Sequence, residues 1–173
     1  MASTVKFDIW QTTAGVNVPT SIQTLYATSV ANQSIASTTP VAINGLSITI
    51  TPKYSNRLIV IQGMITSSWT YVASMTIYRN GAPLIANHGG NNNSGSGPIG
   101  LFTFYDQGIS SGSSSVTPLP ALYVDTPGTT GSFTYQFYAN AAWSGSASTM
   151  YINNRDNQDM LGTSWMTVTE IKQ

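Results

Sequence analysis

Charged side chains are scarce in this sequence of 173 residues. Lys, Arg, Asp and Glu together make up 7% of it, against about 25% in an average soluble protein, and six basic residues balance six acidic ones. No basic cluster is present to neutralise phosphates, which argues against a nucleic-acid partner. A neutral surface also gives little repulsion between copies. We therefore expect the chain to bury much of its surface in an assembly.

Cysteine is absent, and histidine occurs once, as His88. The absence of cysteine excludes disulfides, thiolate zinc sites and cysteine nucleophiles. A Ser-His-Asp triad would have to use His88, which precedes two glycines in a predicted loop that would hold a general base poorly. The few acidic residues resemble turn residues more than a glycosidase pair. We expect no enzymatic activity, no catalytic residue, no cofactor and no metal.

Long apolar runs are missing as well. No run approaches the roughly 18 residues of a membrane-spanning helix. The first residues, where Lys6 and Asp8 stand among threonines, lack the apolar stretch of a secretory signal. We therefore expect no membrane partner.

The residues that are abundant favour β-structure. Val, Ile, Thr and aromatic residues recur in short runs, and Gly, Pro, Asn and Ser separate these runs. Helix formers are scarce, since Glu170 is the sole Glu. Regular short strands of this kind indicate an all-β antiparallel sandwich or barrel with almost no helix. We predict about ten strands, at 22–30, 41–50, 57–66, 71–79, 82–87, 99–105, 119–124, 132–140, 148–153 and 163–171.

The first 21 residues are predicted to form an extended arm ahead of a single domain over 22–173. Val5, Phe7 and Ile9 alternate with Lys6, Asp8 and Trp10, as residues do in an extended segment with two different sides. Two interpretations stay open. The arm either docks onto a neighbouring molecule, by virtue of its alternation, or adds an edge strand to its own domain.

Three local patterns are more specific. Asn80-Gly81, between two β-forming runs, predicts a type I′ hairpin turn because both residues tolerate positive φ. Phe133, Tyr135 and Phe137 share one side of a strand, which we expect to face the core. The run 58–61 is apolar on both sides, so it predicts a central strand or one that another subunit covers.

Several short motifs follow one another in a fixed order along most of the chain. They lie at 5–11, 43–52, 58–61, 122–127, 151–155, 162–164 and 169–171. In this order they resemble a group of bacteriophage virion proteins that are common in cyanophages and marine phages and are described as tail-fibre or structural proteins. The resemblance implies a jelly-roll sandwich similar to the C1q and tumour-necrosis-factor type, assembled as a homotrimer. It also implies location in the virion, after assembly in the host cytoplasm.

The sequence departs from most phage fibres in its lack of a shaft. It has neither a collagen-like glycine repeat nor heptads, and few residues precede the strands. This favours a non-enzymatic capsid decoration (cement) protein that contacts other virion proteins. The alternative is the receptor-binding head of a short tail fibre, which would contact host surface polysaccharide through Gly/Ser/Asn-rich loops at 88–98 and 108–118.

Candidate site residues follow from these expectations. For docking of the arm to the virion we predict Val5, Phe7, Ile9 and Trp10. For the trimer interface we predict Leu58, Val60, Tyr135 and Tyr138. Aromatic residues that could stack on sugar rings, or else pack in the core or an interface, are Trp69, Tyr71, Trp143 and Tyr151. The segment 153–159 has oxygen ligands of the kind that Ca²⁺ prefers, although a polar loop is the simpler interpretation.

Overall fold

The computed structural model of the chain describes residues 10–11, 17–18, 20–85, 100–105, 116–143, 146–155 and 160–172. These residues form strands, turns and bends, and no helix occurs among them. Within this part of the chain, therefore, no helix of the length and hydropathy needed to cross a membrane is found.

Strands cover most of the described residues because the sequence alternates apolar and polar side chains over short runs. In chain order they are β1 (Trp10–Gln11), β2 (Asn17–Val18), β3 (Thr20–Ser29), β4 (Gln33–Ile35), β5 (Val41–Ile50), β6 (Leu58–Trp69), β7 (Val72–Arg79), β8 (Ala82–Pro83), β9 (Phe102–Tyr105), β10 (Thr117–Asp125), β11 (Phe133–Asn140), β12 (Ala142–Trp143), β13 (Ser146–Ala147), β14 (Met150–Ile152) and β15 (Ser164–Lys172).

Two antiparallel sheets account for eleven of these strands. The six-stranded sheet has the order β3-β15-β6-β14-β4, and β10 pairs with β6 as well. The five-stranded sheet has the order β5-β11-β7-β8, and β9 pairs with β7. The predicted all-β antiparallel sandwich is confirmed, while its jelly-roll connectivity stays a prediction.

The core lies between the two sheets, and the inward side of each strand follows the period of two. Phe133 is 8% exposed, and Tyr135 and Phe137 are fully buried, so the predicted inward side of β11 is confirmed. The sheets approach closely at Gly63 of β6, because a Cβ there would lie 2.7 Å from the Phe137 ring and 2.8 Å from the Trp165 carbonyl oxygen.

The hairpin at Asn80-Gly81 is also confirmed. Both residues have positive φ, 51° and 79°, and the flanking residues pair as Tyr78 with Pro83 and Arg79 with Ala82. The return strand is short, since β8 ends at Pro83 and not near residue 87 as predicted. One further backbone bond follows the strand, from the Leu84 N–H to the Ile77 carbonyl at 3.0 Å.

The run 58–61 lies in a central strand, as predicted. β6 pairs with β10, β14 and β15. Ile59 and Ile61 are fully buried in the core, whereas Leu58 and Val60 point to the outer side and stay half-buried.

Only two short pieces of the predicted arm lie within the described residues. Trp10 pairs with Val18 and Gln11 with Asn17, as a two-stranded antiparallel ladder. Val5, Phe7 and Ile9, predicted for docking, lie outside the described residues. The six-stranded sheet begins close to the predicted boundary, at Thr20.

Candidate functional site

The outward side of the six-stranded sheet carries no charged side chain over four adjacent strands, β10, β6, β15 and β3. Residues opposite one another on paired strands point to the same side, so the ladder register identifies the members. We call this surface the apolar face. Its described members include Thr24, Tyr26, Thr28, Leu58, Val60, Gln62, Met64, Thr66, Pro118, Pro120, Leu122, Val124, Trp165, Thr167, Thr169 and Ile171.

Several apolar side chains on this face are open to solvent. Tyr26 is 64% exposed, Leu122 57% and Val124 48%. With a spacing of about 4.8 Å between strands and about 3.3 Å per residue, the face projects over about 400 Å². The largest apolar patch of a typical monomer covers about 300–600 Å² and often has a function, so this face is a candidate contact surface.

A pocket of about 600 Å³ lies beside β6 and β10. Five members of the face line it, namely Gln62, Met64, Pro120, Leu122 and Trp165, together with Gly63, Ala121 and Phe102. Its lining is therefore mainly apolar.

The outward side of the five-stranded sheet has a different composition. We call it the hydroxyl face, because Ser, Thr and Tyr dominate it. Its described members include Ser47, Thr49, Thr76, Tyr78, Thr134, Gln136 and Tyr138. The hydroxyls of Thr49 and Thr134 lie 2.8 Å apart, within hydrogen-bond distance. These two groups on the face therefore have hydrogen-bond partners within the chain.

Tyr78 and Tyr138 stack on the hydroxyl face. Their ring centroids are 3.9 Å apart and the rings are inclined by 20°. They are diagonal neighbours, because Tyr138 pairs with Thr76, and Tyr78 with Gln136. Burial and then the neighbouring Tyr138 raise the pKa of the Tyr78 hydroxyl above its usual value.

The structure separates the four residues predicted for the trimer interface. Leu58 and Val60 lie together on the apolar face. Tyr138 lies on the hydroxyl face, on the opposite side of the molecule. Tyr135 is fully buried between the sheets, so its side chain has no surface to offer a neighbour. The period of two had already predicted an inward Tyr135, so its assignment to the trimer interface conflicted with that prediction.

The aromatic residues predicted for sugar contact do not form one platform. Trp69 lies opposite the fully buried Met150 and packs against the core. Tyr151, the next residue on β14, therefore points to the other side of the sheet. Tyr71 is half-buried at the β6–β7 turn. Trp143 belongs to the two-residue strand β12, of which only the backbone pairing is described.

Asp125 has a role that the sequence did not reveal. Its Oδ2 accepts hydrogen bonds from Arg79 Nη1 and from the Tyr135 hydroxyl, both at 2.7 Å. Arg79 lies over the Phe133 ring, 5.3 Å from its centroid. Asp125 stands at the end of β10, so this cluster ties the six-stranded sheet to β7 and β11 of the other. Burial and the bond to Asp125 raise the pKa of the Tyr135 hydroxyl well above its usual value.

Glu170 is the second described carboxylate, and it is fully buried. It accepts hydrogen bonds from Gln23 Nε2 at 2.7 Å and from the backbone amide of Lys53 at 2.9 Å. Its carboxylate therefore fixes the turn between β5 and β6 to the strand pair β3–β15. Asp125 and Glu170 both serve as internal acceptors.

The start of the polar segment 153–159 is part of the sandwich. Asn153 has a positive φ of 61°, and its side-chain amide donates to the carbonyls of Ser29 and Ala31, both at 3.0 Å. Its Oδ1 accepts from the Ser164 hydroxyl at 2.6 Å. Asn153 thus joins the ends of β3, β14 and β15, while residues 156–159 lie outside the described part.

The remaining candidates for chemistry are outside the described residues. These are His88, Asp8 and Asp106, and most of the loops predicted at 88–98 and 108–118. Across the residues that the structure does describe, no three His, Asp or Glu side chains gather where they could hold a metal ion.

Comparison with known proteins gives no family for the chain. Neither a protein-family model nor a curated protein matches the sequence. The motif order that resembles phage virion proteins therefore remains a prediction from the residues, and the two outward faces are the surfaces on which a function can be argued.

Proposed function

We propose that this chain is a non-enzymatic structural protein of a bacteriophage virion, in which three copies of the sandwich associate through the apolar face. The position we propose is the capsid surface, where the protein acts as a decoration, or cement, protein. The motif order supports the virion assignment and the number three. The apolar face supports self-association.

The observation that carries the proposal is the composition of the apolar face. On the outward side of its four strands Tyr26, Leu122 and Val124 are exposed to solvent, and no described member of the face is charged. Burial of apolar area gains about 25 cal/mol per Å², and the absence of charge removes the desolvation cost that would oppose association. Leu58 and Val60, predicted for the trimer interface, belong to this surface.

Solution mass tests the assembly. The single chain has a mass of 18.4 kDa, and sedimentation equilibrium of the full-length protein should give about three times this value. A monodisperse 18.4 kDa species across the micromolar range would reject the trimer.

Electron microscopy tests the location. Gold-labelled antibody against the protein, applied to intact particles, should decorate the head evenly. Label confined to the tail would reject the cement role and support the alternative below, and no label on particles would reject the virion assignment.

The arm gives an independent test. Deletion of residues 1–12 should leave the sandwich folded and trimeric, because the described sheet begins at Thr20, but the truncated protein should no longer bind particles that lack it. If the truncated protein still decorates such particles, the docking role of Val5, Phe7, Ile9 and Trp10 is wrong.

One observation favours the alternative function, a receptor-binding head for host polysaccharide. The stacked pair Tyr78–Tyr138 lies on an outward face beside Gln136, Thr134 and Thr49. Aromatic rings offer an apolar surface to the CH side of a sugar ring, and amide and hydroxyl groups pair with its hydroxyls. A glycan array on the purified protein separates the two functions, and Tyr138→Ala should abolish any signal that this pair carries.

A further inference from the structure

Strand β10 forms an edge of the six-stranded sheet, and among the described residues it pairs with β6 alone. Residues opposite one another on antiparallel strands exchange either both backbone hydrogen bonds or neither. Pro118 lies opposite Thr66. The Thr66 N–H donates to the Ser164 hydroxyl at 2.9 Å, and its carbonyl accepts from the Asn153 N–H at 2.7 Å. Because both groups of Thr66 point away from β10, the backbone of Pro118 points away from β6, to the outer edge of β10.

Two prolines stand at positions of β10 whose backbone points to this outer edge. Backbone groups alternate in direction along a strand, so Pro120, Leu122 and Val124 are oriented as Pro118 is. A proline has no N–H, and prolines in sheets are confined to such edge positions. The first half of the outer edge therefore offers carbonyls without donors, while Leu122 and Val124 keep an N–H each.

A single charged residue, Asp125, stands in β10, so the strand has little of the charge that commonly protects a sheet edge. The Asp125 carboxylate is directed to the other sheet, where it accepts hydrogen bonds from Arg79 and Tyr135. Leu122 and Val124 are exposed beside the outer edge. Without its prolines, β10 would present uncharged residues of high β-propensity at an edge, which is the combination that favours strand addition between chains.

The opposite side of the sandwich is closed by contacts between the sheets. There β3 and β4 of one sheet lie beside β5 of the other. The Gln33 amide donates to the Ala42 carbonyl and accepts from the Asn44 N–H, both at 2.9 Å. The Gln23 amide donates to the Thr51 carbonyl, also at 2.9 Å. Backbone groups along β5 thus have partners within the chain, whereas the outer edge of β10 depends on its prolines.

We propose that Pro118 and Pro120 keep a second copy of this chain from adding a strand to β10. Two copies of β10 would pair about a two-fold axis and join two sheets into one. The prolines exclude this contact, so that self-association uses the faces of the sandwich and not its edge. The inference holds for any number of copies that meet through a face, and it does not rest on the proposed trimer.

A double substitution tests the prolines. Pro118→Thr together with Pro120→Thr returns an N–H to each position without adding charge. Sedimentation velocity of the full chain should show species about twice as heavy as the parent assembly or heavier, in an amount that grows with concentration. The matched control is Pro127→Thr, between β10 and β11, which removes a proline without adding a donor to this edge and should sediment as the parent does. If circular dichroism shows the double variant to be unfolded, Pro120→Thr alone is measured in the same way.

Amide hydrogen exchange, followed residue by residue in NMR spectra, shows whether the new contact is a strand. In the parent, the N–H groups of Leu122 and Val124 should exchange about 100-fold faster than those of Ala121 and Tyr123, which point to β6. In the double variant, the N–H groups of Leu122 and Val124 should become as slow as those of their neighbours.

The outcomes separate this inference from the proposed function. The role of the prolines is wrong if the folded proline variant sediments like the parent, or if Pro127→Thr forms the same heavy species. It is also wrong if Leu122 and Val124 already exchange slowly in the parent, because a hydrogen-bond acceptor then occupies the outer edge despite the prolines. These results leave the proposed function standing, which fails instead if the parent is a monomer or is absent from particles.

Discussion

The outward faces of the two sheets both follow from the alternation of side chains along β-strands, yet they differ in the side chains that they expose. On both sheets every second residue points outward, and on both the outward members are uncharged. The apolar face exposes Tyr26, Leu122 and Val124, whereas the hydroxyl face pairs Thr49 with Thr134 and Tyr78 with Tyr138 within the chain. Side chains on the hydroxyl face bond or stack with one another, whereas apolar side chains on the other face stay exposed to solvent. Low overall charge is common to both faces, so the exposure of apolar side chains is what distinguishes one face from the other.

A lysine on the apolar face and a lysine on the hydroxyl face should differ most strongly in their effect on the mass of the assembly. Leu122→Lys would bring a charge into the proposed interface, where desolvation of an unpaired ammonium is costly, and should yield an 18.4 kDa monomer in sedimentation equilibrium. Ser47→Lys on the hydroxyl face is the matched control and should keep the mass of the parent. Dissociation by the control alone would mean that the hydroxyl face is the interface.

A methyl group at Gly63 should have the next largest effect, because it acts where the two sheets meet. The added Cβ would lie 2.7 Å from the Phe137 ring and 2.8 Å from a backbone oxygen of Trp165, and the oxygen cannot move away freely. Gly63→Ala should lower the free energy of unfolding by about 3 kcal/mol in urea titrations. Gly131→Ala, where the nearest atom is 3.8 Å away, should change it by less than about 0.5 kcal/mol. Both glycine variants are made in the Leu122→Lys protein. Because this protein is expected to be a monomer, assembly does not contribute to either unfolding free energy.

Alkaline pH should reveal the cluster that holds the two sheets together. In the folded state the pKa of the Tyr135 hydroxyl is raised. The hydroxyl therefore contributes to the free energy of unfolding below about pH 10, and this contribution is lost as the pH rises above that value. Between pH 10 and 11 the parent should lose up to about 1.4 kcal/mol of unfolding free energy more than Tyr135→Phe, in which this proton is missing. Tyr26→Phe removes a hydroxyl from an exposed ring and should follow the parent. Equal slopes for all three proteins would show that Tyr135 does not govern this loss.

The smallest effect is expected on the hydroxyl face. Tyr138→Ala removes the stacked ring beside Tyr78 and should cost about 1 kcal/mol, the usual worth of an aromatic pair, in thermal or urea unfolding. The mass of the assembly should not change. A monomeric Tyr138→Ala protein would instead restore Tyr138 to the interface, where the sequence had placed it, and would reverse the roles of the two faces.

The sequence predicted the features that depend on neighbours along the chain. The period of two located most of the strands, Asn80-Gly81 located the hairpin, and Phe133, Tyr135 and Phe137 were correctly placed inside. The sequence also identified Leu58 and Val60 as apolar residues on a second side of a central strand. Each of these inferences uses residues within about ten positions of one another.

What the sequence could not predict depends on pairing between distant segments. The diagonal contact of Tyr78 with Tyr138 follows from the β7–β11 register, which links residues 60 positions apart. Asp125 resembled a turn residue because Thr126 and Pro127 follow it, and only the stacking of the two sheets brings Arg79 and Tyr135 to its carboxylate. Likewise, Tyr26 and Leu122 reach one row only through β15 and β6.

The pairing of β3 with β15 has a consequence for the order of events during synthesis. Thr24 and Thr169 lie side by side across this ladder, although 145 residues separate them in the chain. On the ribosome, where chains emerge at about 5–20 residues per second, β3 waits for its neighbour until β15 has been made. The apolar face, which needs both strands, is therefore completed only after almost the whole chain has been made.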